Sequence, residues 1–180
     1  TTVDAEQVIS PELKFEGNNL YLIKHTPLDN YMPNVEQLKA NWKYIHEQVQ
    51  EGTIVSGYAL GFGGLAEAIC KMSFGNGLDA KISYDEKELF NYGYGSILVE
   101  VEGELDYPNA ILVGEVTDGE DSELTINGVK FDIFDLMAAN SAKFAQVYPD
   151  TAEAYHKDVV PAGIDKIKPF KAKKSDLKYK

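Results

Sequence analysis

Gly61-Phe62-Gly63-Gly64 places three glycines in four positions. Without Cβ atoms, such a bend lets the backbone come close to a ligand. A helical pattern follows it, so unpaired N–H groups and roughly half a positive charge from the helix dipole would face an anion there. The chemistry this implies is a phosphate or nucleotide contact through main-chain amides. The plainer reading of a lone glycine cluster is architectural: a tight turn that packs a helix against a sheet. The bend is not a Walker loop, because neither Gly-Lys-Ser nor Gly-Lys-Thr follows it.

Other residue types with chemical potential are scattered. Glu115, Asp118, Glu120 and Asp121 form an acidic run able to offer oxygen ligands to a divalent cation. The run lacks twelve-residue calcium-loop spacing and reads as a solvated loop. His25, His46 and His156 fall on a strand, a helix and a post-helical segment, with no metal-ligand spacing. Cys70, the only cysteine, sits in an apolar helix and reads as core. No serine occupies a nucleophile-elbow pattern. The residues therefore nominate no catalytic side chain and no metal ligand.

The elements that must position the bend are legible from periodicity. Residues 54–60 read as a short buried strand. After the bend, Leu65, Ala68, Ile69 and Met72 share one helical face, and Gly75-Asn76-Gly77 stops the helix. Residues 34–50 form the best-defined helix. Asn34 and Gln37 resemble a capping box, and Val35, Leu38, Trp42, Ile45 and Val49 make an apolar stripe. Trp42 offers a flat ring for base stacking, but its place in the stripe makes it core. Strands are expected at 20–25, 78–84 (with one wet face), 96–101 and 110–116, with an acidic helical turn at 85–90. A hairpin spans 124–133 around Asn127-Gly128. Asp132 caps a helix over 133–147, with Phe134, Met137, Ala138, Ser141, Phe144 and Ala145 inward.

The 180 residues suit one domain, or one domain with a tail. A net charge of −12 argues against general affinity for nucleic acid or anionic membrane. All 17 basic residues are lysine, so no bidentate arginine clamp for phosphate exists within the chain. No apolar run approaches a membrane span and no signal peptide is visible. The lone cysteine fits a reducing compartment. Residues 157–180 hold 8 of the lysines and only three acids, whereas residues 1–156 carry a formal −17. The chain thus reads as a domain over 1–156 and a lysine-rich linker over 157–180.

The order of motifs is more specific than any single one. VISPELK, GFGGLAEAICKMSFGN, ELFNYGYGSILVEV and AILVGEVTDGEDSELTINGVKFDIFDL follow one another. Together they resemble the C-terminal domain of the AIR-synthase-related family. The likeness is greatest to the phosphoribosylformylglycinamidine synthases, in particular the second such domain of the large single-chain form. It covers roughly residues 8–149.

The resemblance implies an α/β layered sandwich with a central mixed β-sheet and flanking helices. It implies an ATP- and glutamine-dependent ligase of purine biosynthesis in the cytoplasm. ATP activates the amide oxygen of formylglycinamide ribonucleotide, and ammonia from glutamine displaces phosphate to give the amidine. ATP or ADP and magnesium belong to clefts of the full enzyme, between N-terminal and C-terminal domains; none is assigned to this fragment alone. The implied partners are an N-terminal AIR-synthase-related domain and a glutaminase domain of the same chain, toward which residues 157–180 would lead.

At the turn, family members read Asp-x-Ser-Asp-Gly-Gly-Leu, whereas this chain reads Ala59-Leu60-Gly61-Phe62-Gly63-Gly64-Leu65. The glycine pair and leucine match. Ala59 replaces the magnesium-binding aspartate, Gly61 the nucleotide-contacting serine, and Phe62 the second aspartate. The stretch before the SILVEV strand is also altered, to Asn91-Tyr92-Gly93. The implied contact is therefore with nucleotide, through the backbone of Gly61, Phe62, Gly63 and Gly64, with no metal ligand and no catalysis by the fragment. The alternatives are a scaffold domain without ligand, or a domain of a related selenophosphate synthase or thiamine-phosphate kinase.

Overall fold

The computed structural model describes residues 8–143, 145 and 147. The expected linker at 157–180, His156 and Phe144 lie outside the described residues. The chain divides into a compact unit, Thr1–Asn140, and a second unit, Ser141–Lys180; the first holds the architecture.

Its elements are β1 (Asn19–Ile23), α1 (Val35–Gln50), β2 (Ile54–Ala59), α2 (Gly64–Ser73), β3 (Asp79–Ile82), β4 (Ile97–Val101), β5 (Ala110–Thr117), β6 (Glu123–Ile126), β7 (Val129–Asp132) and α3 (Ile133–Ala142). The strands form one mixed sheet in the order β2-β4-β1-β5-β3-β6-β7. Every pairing is antiparallel except β3 with β6. This is the layered α/β arrangement expected from the sequence. Among the described residues, no helix is long and apolar enough to cross a membrane.

Strand β1 explains the layering. It lies between β4 and β5 and is apolar on both sides, as a strand covered on both faces must be. Leu20 and Leu22 enter the core shared with α2, while Tyr21 and Ile23 enter the smaller one beneath α1. The α2 stripe lies where its spacing puts it: Leu65, Ala68, Ile69 and Met72 are buried. The β6–β7 hairpin turns at Asn127 (φ 50°) and Gly128 (φ 81°). Asn127 also clamps the preceding loop, accepting from the Tyr84 amide (2.8 Å) and donating to the Tyr84 carbonyl (2.9 Å).

Four sequence expectations require correction. In α1 the inward face runs through Leu38, Asn41, Ile45 and Val49, while Val35 and Trp42 are about half exposed. The buried face was hidden because its centre is polar. Asn41 donates to the Lys24 carbonyl and accepts from Tyr107 and Asn109, and Tyr44 stacks on Tyr107 at 4.1 Å. In α3 the inward face is Ile133, Leu136 and Met137, whereas Phe134 and Ala138 are exposed. Asp132 does cap that helix, accepting from the Asp135 amide at 3.0 Å. In β3 the supposedly wet face exposes Lys81 but buries Asp79. The expected helical turn at 85–90 consists of turns rather than helix.

One buried carboxylate ties the framework together. Glu100 on β4 is fully buried and accepts four hydrogen bonds. They come from the amides of Lys14 (2.8 Å) and Phe15 (2.9 Å), the Asn18 side chain (2.8 Å) and the Ser56 hydroxyl (2.9 Å). The segment before β1 is thereby pinned to the sheet. Leu13 within it is buried in the α2 core, and its amide bonds the Met72 carbonyl at 3.1 Å. Leaving such donors unsatisfied costs about 1–3 kcal/mol each. Glu100→Ala is therefore expected to lose more than about 3 kcal/mol in urea unfolding, and Glu100→Gln a smaller but clear amount. Unchanged midpoints for both would disprove the anchoring role.

Candidate functional site

The glycine bend lies where β2 hands over to α2. The Leu60 amide still bonds the Ser96 carbonyl of the β4 side (2.9 Å), so the chain leaves the sheet only at Gly61. Gly64 begins α2 at φ +63°, and a Cβ there would lie 2.5 Å from the Asn91 carbonyl oxygen and 2.8 Å from that of Leu89. Both the conformation and the close approach require glycine. The loop over residues 84–96 closes against this point, and the Ala66 amide donates to the Leu89 carbonyl at 3.1 Å.

The amides of the bend are partly spoken for. Gly63 donates to the Glu67 carboxylate (2.9 Å), and Gly64 donates to the Gly61 carbonyl (3.3 Å). Among the described residues, the amides of Gly61 and Phe62 have no hydrogen-bond partner. The start of α2 thus already carries an anion of its own, where a helix N-terminus favours one. Glu67 also pairs with Lys71 at 2.6 Å. Lys71 and the Gly63 amide hold the Glu67 carboxyl below its ordinary pKa, and Glu67 together with the Tyr58 side chain raises that of Lys71.

Beside the bend is a pocket of about 270 Å³. Leu22, Leu60 and Leu65 form its apolar lining, and Lys24, Tyr84 and Glu88 its polar wall. That volume sits at the lower edge of ligand pockets, which run from roughly 300 Å³ upward. Its polar groups satisfy one another. Lys24 pairs with Glu88 at 2.5 Å, and the Tyr84 hydroxyl donates to the same carboxylate at 3.0 Å. Glu88 raises the Lys24 pKa, Lys24 lowers that of Glu88, and burial pushes up the Tyr84 hydroxyl.

His25 is buried at the rim as a structural connector. Its Nε2 accepts from the Asn34 amide (3.1 Å), so the proton belongs on Nδ1, which donates to the Tyr94 carbonyl (2.9 Å). Asn34 itself caps α1, accepting from the Gln37 amide at 3.2 Å. His46 is exposed. Cys70 is half-buried against the α2 core, and burial pushes its thiol up. Among the described residues, no three His, Cys, Asp or Glu side chains group as a metal site.

The fold assembles an aromatic ledge from residues far apart in sequence. Phe62, at the tip of the bend, is 71% exposed. It lies 4.9 Å from the Tyr92 ring, which in turn lies 6.3 Å from that of Tyr94. Beyond it, Trp42, Tyr31 and Tyr94 line a groove of about 330 Å³. Exposed aromatics gathered in this way mark a surface that meets something else. The signal was present in Tyr92-Gly93-Tyr94, but only the fold brings Phe62 and Trp42 to that loop.

No protein-family model matches the chain. In sequence it is similar to phosphoribosylformylglycinamidine synthase subunit PurL of Lactobacillus delbrueckii subsp. bulgaricus, at 25% identity over 154 residues. The match covers 71% of this chain and 21% of that protein, and a second strain gives the same values. The chain thus spans about a fifth of the length of the curated relatives it matches. In fold it is similar to Thermotoga maritima PurL complexed with AMPPCP, with TM-score 0.58 and 14% identity over 74% of this chain and 28% of that one. The structure of PurLQS from the same organism gives TM-score 0.61 and 13% identity, over 73% and 28%. The resemblance to PurL thus holds in both sequence and fold.

Gly64→Ala is expected to destabilise the chain by at least about 2 kcal/mol, since it adds left-handed strain to a backbone clash. At Gly61 a Cβ would meet nothing nearer than 3.8 Å, so Gly61→Ala should stay within about 0.5 kcal/mol. Equal losses at both positions would contradict this geometry. The Glu67 carboxyl is depressed in the folded state, so its contribution is present at neutral pH and fades as pH falls through that lowered pKa. Glu67→Gln should flatten the acid limb of the stability profile, and an unchanged limb would exclude the capping role.

Proposed function

We propose that the chain is an AIR-synthase-related C-terminal domain of a phosphoribosylformylglycinamidine synthase. That enzyme is the cytoplasmic ATP- and glutamine-dependent ligase which converts formylglycinamide ribonucleotide to its amidine. The observation that carries the reading is the likeness to PurL in both sequence and fold. PurL structures with ATP and with ADP are among the fold's relatives, which supports a nucleotide cleft in the assembled enzyme.

In this reading the fragment supplies shape and main-chain donors rather than reactive side chains. The amides of Gly61 and Phe62, which have no partner among the described residues, are the donors it offers to nucleotide, and Phe62, Tyr92 and Tyr94 offer the N-terminal domain an aromatic surface. Residues 157–180 lead on toward a glutaminase domain. The bend does not fit a magnesium ion, because Ala59, Gly61 and Phe62 carry no side-chain oxygen. Bound nucleotide would supply the phosphoryl group that activates the amide oxygen; this chain's part is to position and to exclude water. Glu67 at the helix start is balanced by Lys71, and the chain has no arginine to clamp a phosphate. In this reading further positive charge for the cleft comes from the partner domain.

A second reading has its own observation in favour. Glu67 already caps the Gly63 amide and Gly64 is clamped under residues 89–91, as a purely architectural turn would be. Titration calorimetry with ADP and magnesium, on this chain joined to its N-terminal partner domain, separates the two. The cleft reading expects binding that weakens when Phe62 is replaced by Ala. Absence of heat, or binding indifferent to Phe62→Ala, would leave the scaffold. The 180-residue chain alone is expected to show no turnover of formylglycinamide ribonucleotide with ammonia and ATP; measurable turnover would refute this division of labour.

A further inference from the structure

His25, just beyond β1, is buried, and both of its ring nitrogens are engaged in opposite senses. Nδ1 donates to the Tyr94 carbonyl at 2.9 Å, and Nε2 accepts from the Asn34 amide at 3.1 Å. Only the imidazole with a single proton, on Nδ1, can do both. The ring is also packed in place. Gly95, at φ +88°, lies so close that a Cβ there would stand 2.9 Å from Nδ1 and 2.7 Å from a methyl of Leu38. The His25 amide donates in turn to the Ser96 hydroxyl at 2.9 Å.

A second proton on Nε2 would turn that acceptor into a donor aimed at the Asn34 N–H. Asn34 is the N-cap of α1, so the new charge would also sit at the positive end of the helix dipole. The charged and titratable groups around the ring do not compensate. Lys24, the preceding residue, is paired with Glu88 at 2.5 Å, and Glu88 also accepts from the Tyr84 hydroxyl. Tyr92 and Tyr94 on the same side bring rings without charge. On α1, Glu36 is exposed and pairs with Lys39 at 3.6 Å. Asp29, in the loop that follows His25, is exposed. Among the described residues, no carboxylate forms an ion pair with His25.

We propose that His25 is a pH-sensitive latch on the loop over residues 26–34: neutral, it fastens the loop to the start of α1, and doubly protonated, it releases it. The loop's connections make this possible. Its turn is closed on itself, with the Leu28 amide donating to the Met32 carbonyl (2.9 Å) and the Tyr31 amide to the Leu28 carbonyl (2.8 Å). Among the described residues, only two of its amides reach outside it: Thr26, which donates to the Gln37 side chain at 2.8 Å, and Asn34, which depends on His25. Pro27, Tyr31 and Pro33 of this loop line the aromatic groove together with Trp42 and Tyr94. The latch is therefore closed at higher pH, and the groove loses that lining as pH falls through the protonation of His25. The device rests on local geometry and does not depend on the ligase reading.

Trp42 is the only tryptophan, so its emission reports on the groove. The test follows that emission, with the NMR signals of the His25 ring and of the Tyr31 and Asn34 amides, in the 180-residue chain from about pH 8 to about pH 5. One single-proton transition is expected. Emission shifts to the red, both amides move with the His25 ring, and sheet amides such as those of Leu22 and Val99 stay in place. His46→Asn, which removes the histidine one turn from Trp42 on α1, and His156→Asn should leave the transition unchanged, whereas His25→Gln should abolish it. Any of four results would overturn the proposal: a His25 ring that keeps one proton throughout, loop amides that stay still while the ring titrates, a transition that survives His25→Gln, or sheet amides that move in step with the loop. Should His25→Gln fail to fold, the wild-type ring and amide signals decide alone.

Discussion

Glu100 is the constraint on which the remaining geometry depends. Its carboxylate gathers donors from the segment before β1, from Asn18 and from β2 at one buried point. Apolar packing alone does not fix the register of a strap lying across a sheet; four directed bonds to one group do. With the strap fixed, Leu13 holds the last turn of α2 through the Met72 carbonyl. The first turn is held through the Leu89 carbonyl. Helix α2 is therefore pinned at both ends, and the glycine bend at its start has little freedom.

That rigidity decides what the bend can do. A helix start with open amides attracts anions, but here Glu67 lies over the Gly63 amide and is balanced by Lys71. The electrostatic vacancy that a phosphate would fill is closed from within, except at Gly61 and Phe62. The ring of Phe62 then gives the same tip an apolar surface, continued by Tyr92 and Tyr94. The local chemistry has moved from charge neutralisation to shape and contact, consistent with aromatic and glycine residues where the resembled family carries aspartates and serine.

Much of the fold was readable because the apolar pattern is strict where elements are covered on both faces. Strand β1, strand β4 and helix α2 follow their predicted spacing closely. The errors fall where polar or tertiary contacts decide burial. Helix α1 was rotated in prediction because its buried centre is Asn41, whose amide is satisfied by Lys24, Tyr107 and Asn109. No periodicity argument credits a buried asparagine before its partners are known. Trp42, in the expected apolar stripe, is half exposed for the same reason. The glycine bend was visible as a motif, but Glu67 four residues on gave no sign that it would turn back to cap Gly63. Asp79 was hidden in an alternating strand, since only the fold brings residues 118–121 against it.

The central claim is that this domain meets nucleotide, within an assembled ligase, through the two unengaged amides of its bend. Amide chemical-shift mapping tests it most directly, by titrating ADP and magnesium into the chain joined to its N-terminal partner. The account predicts that the Gly61, Phe62 and Tyr92 signals move together and saturate, while Gly63, held by Glu67, stays nearly fixed. Saturable shifts confined to other surfaces, or none in this domain, would contradict it.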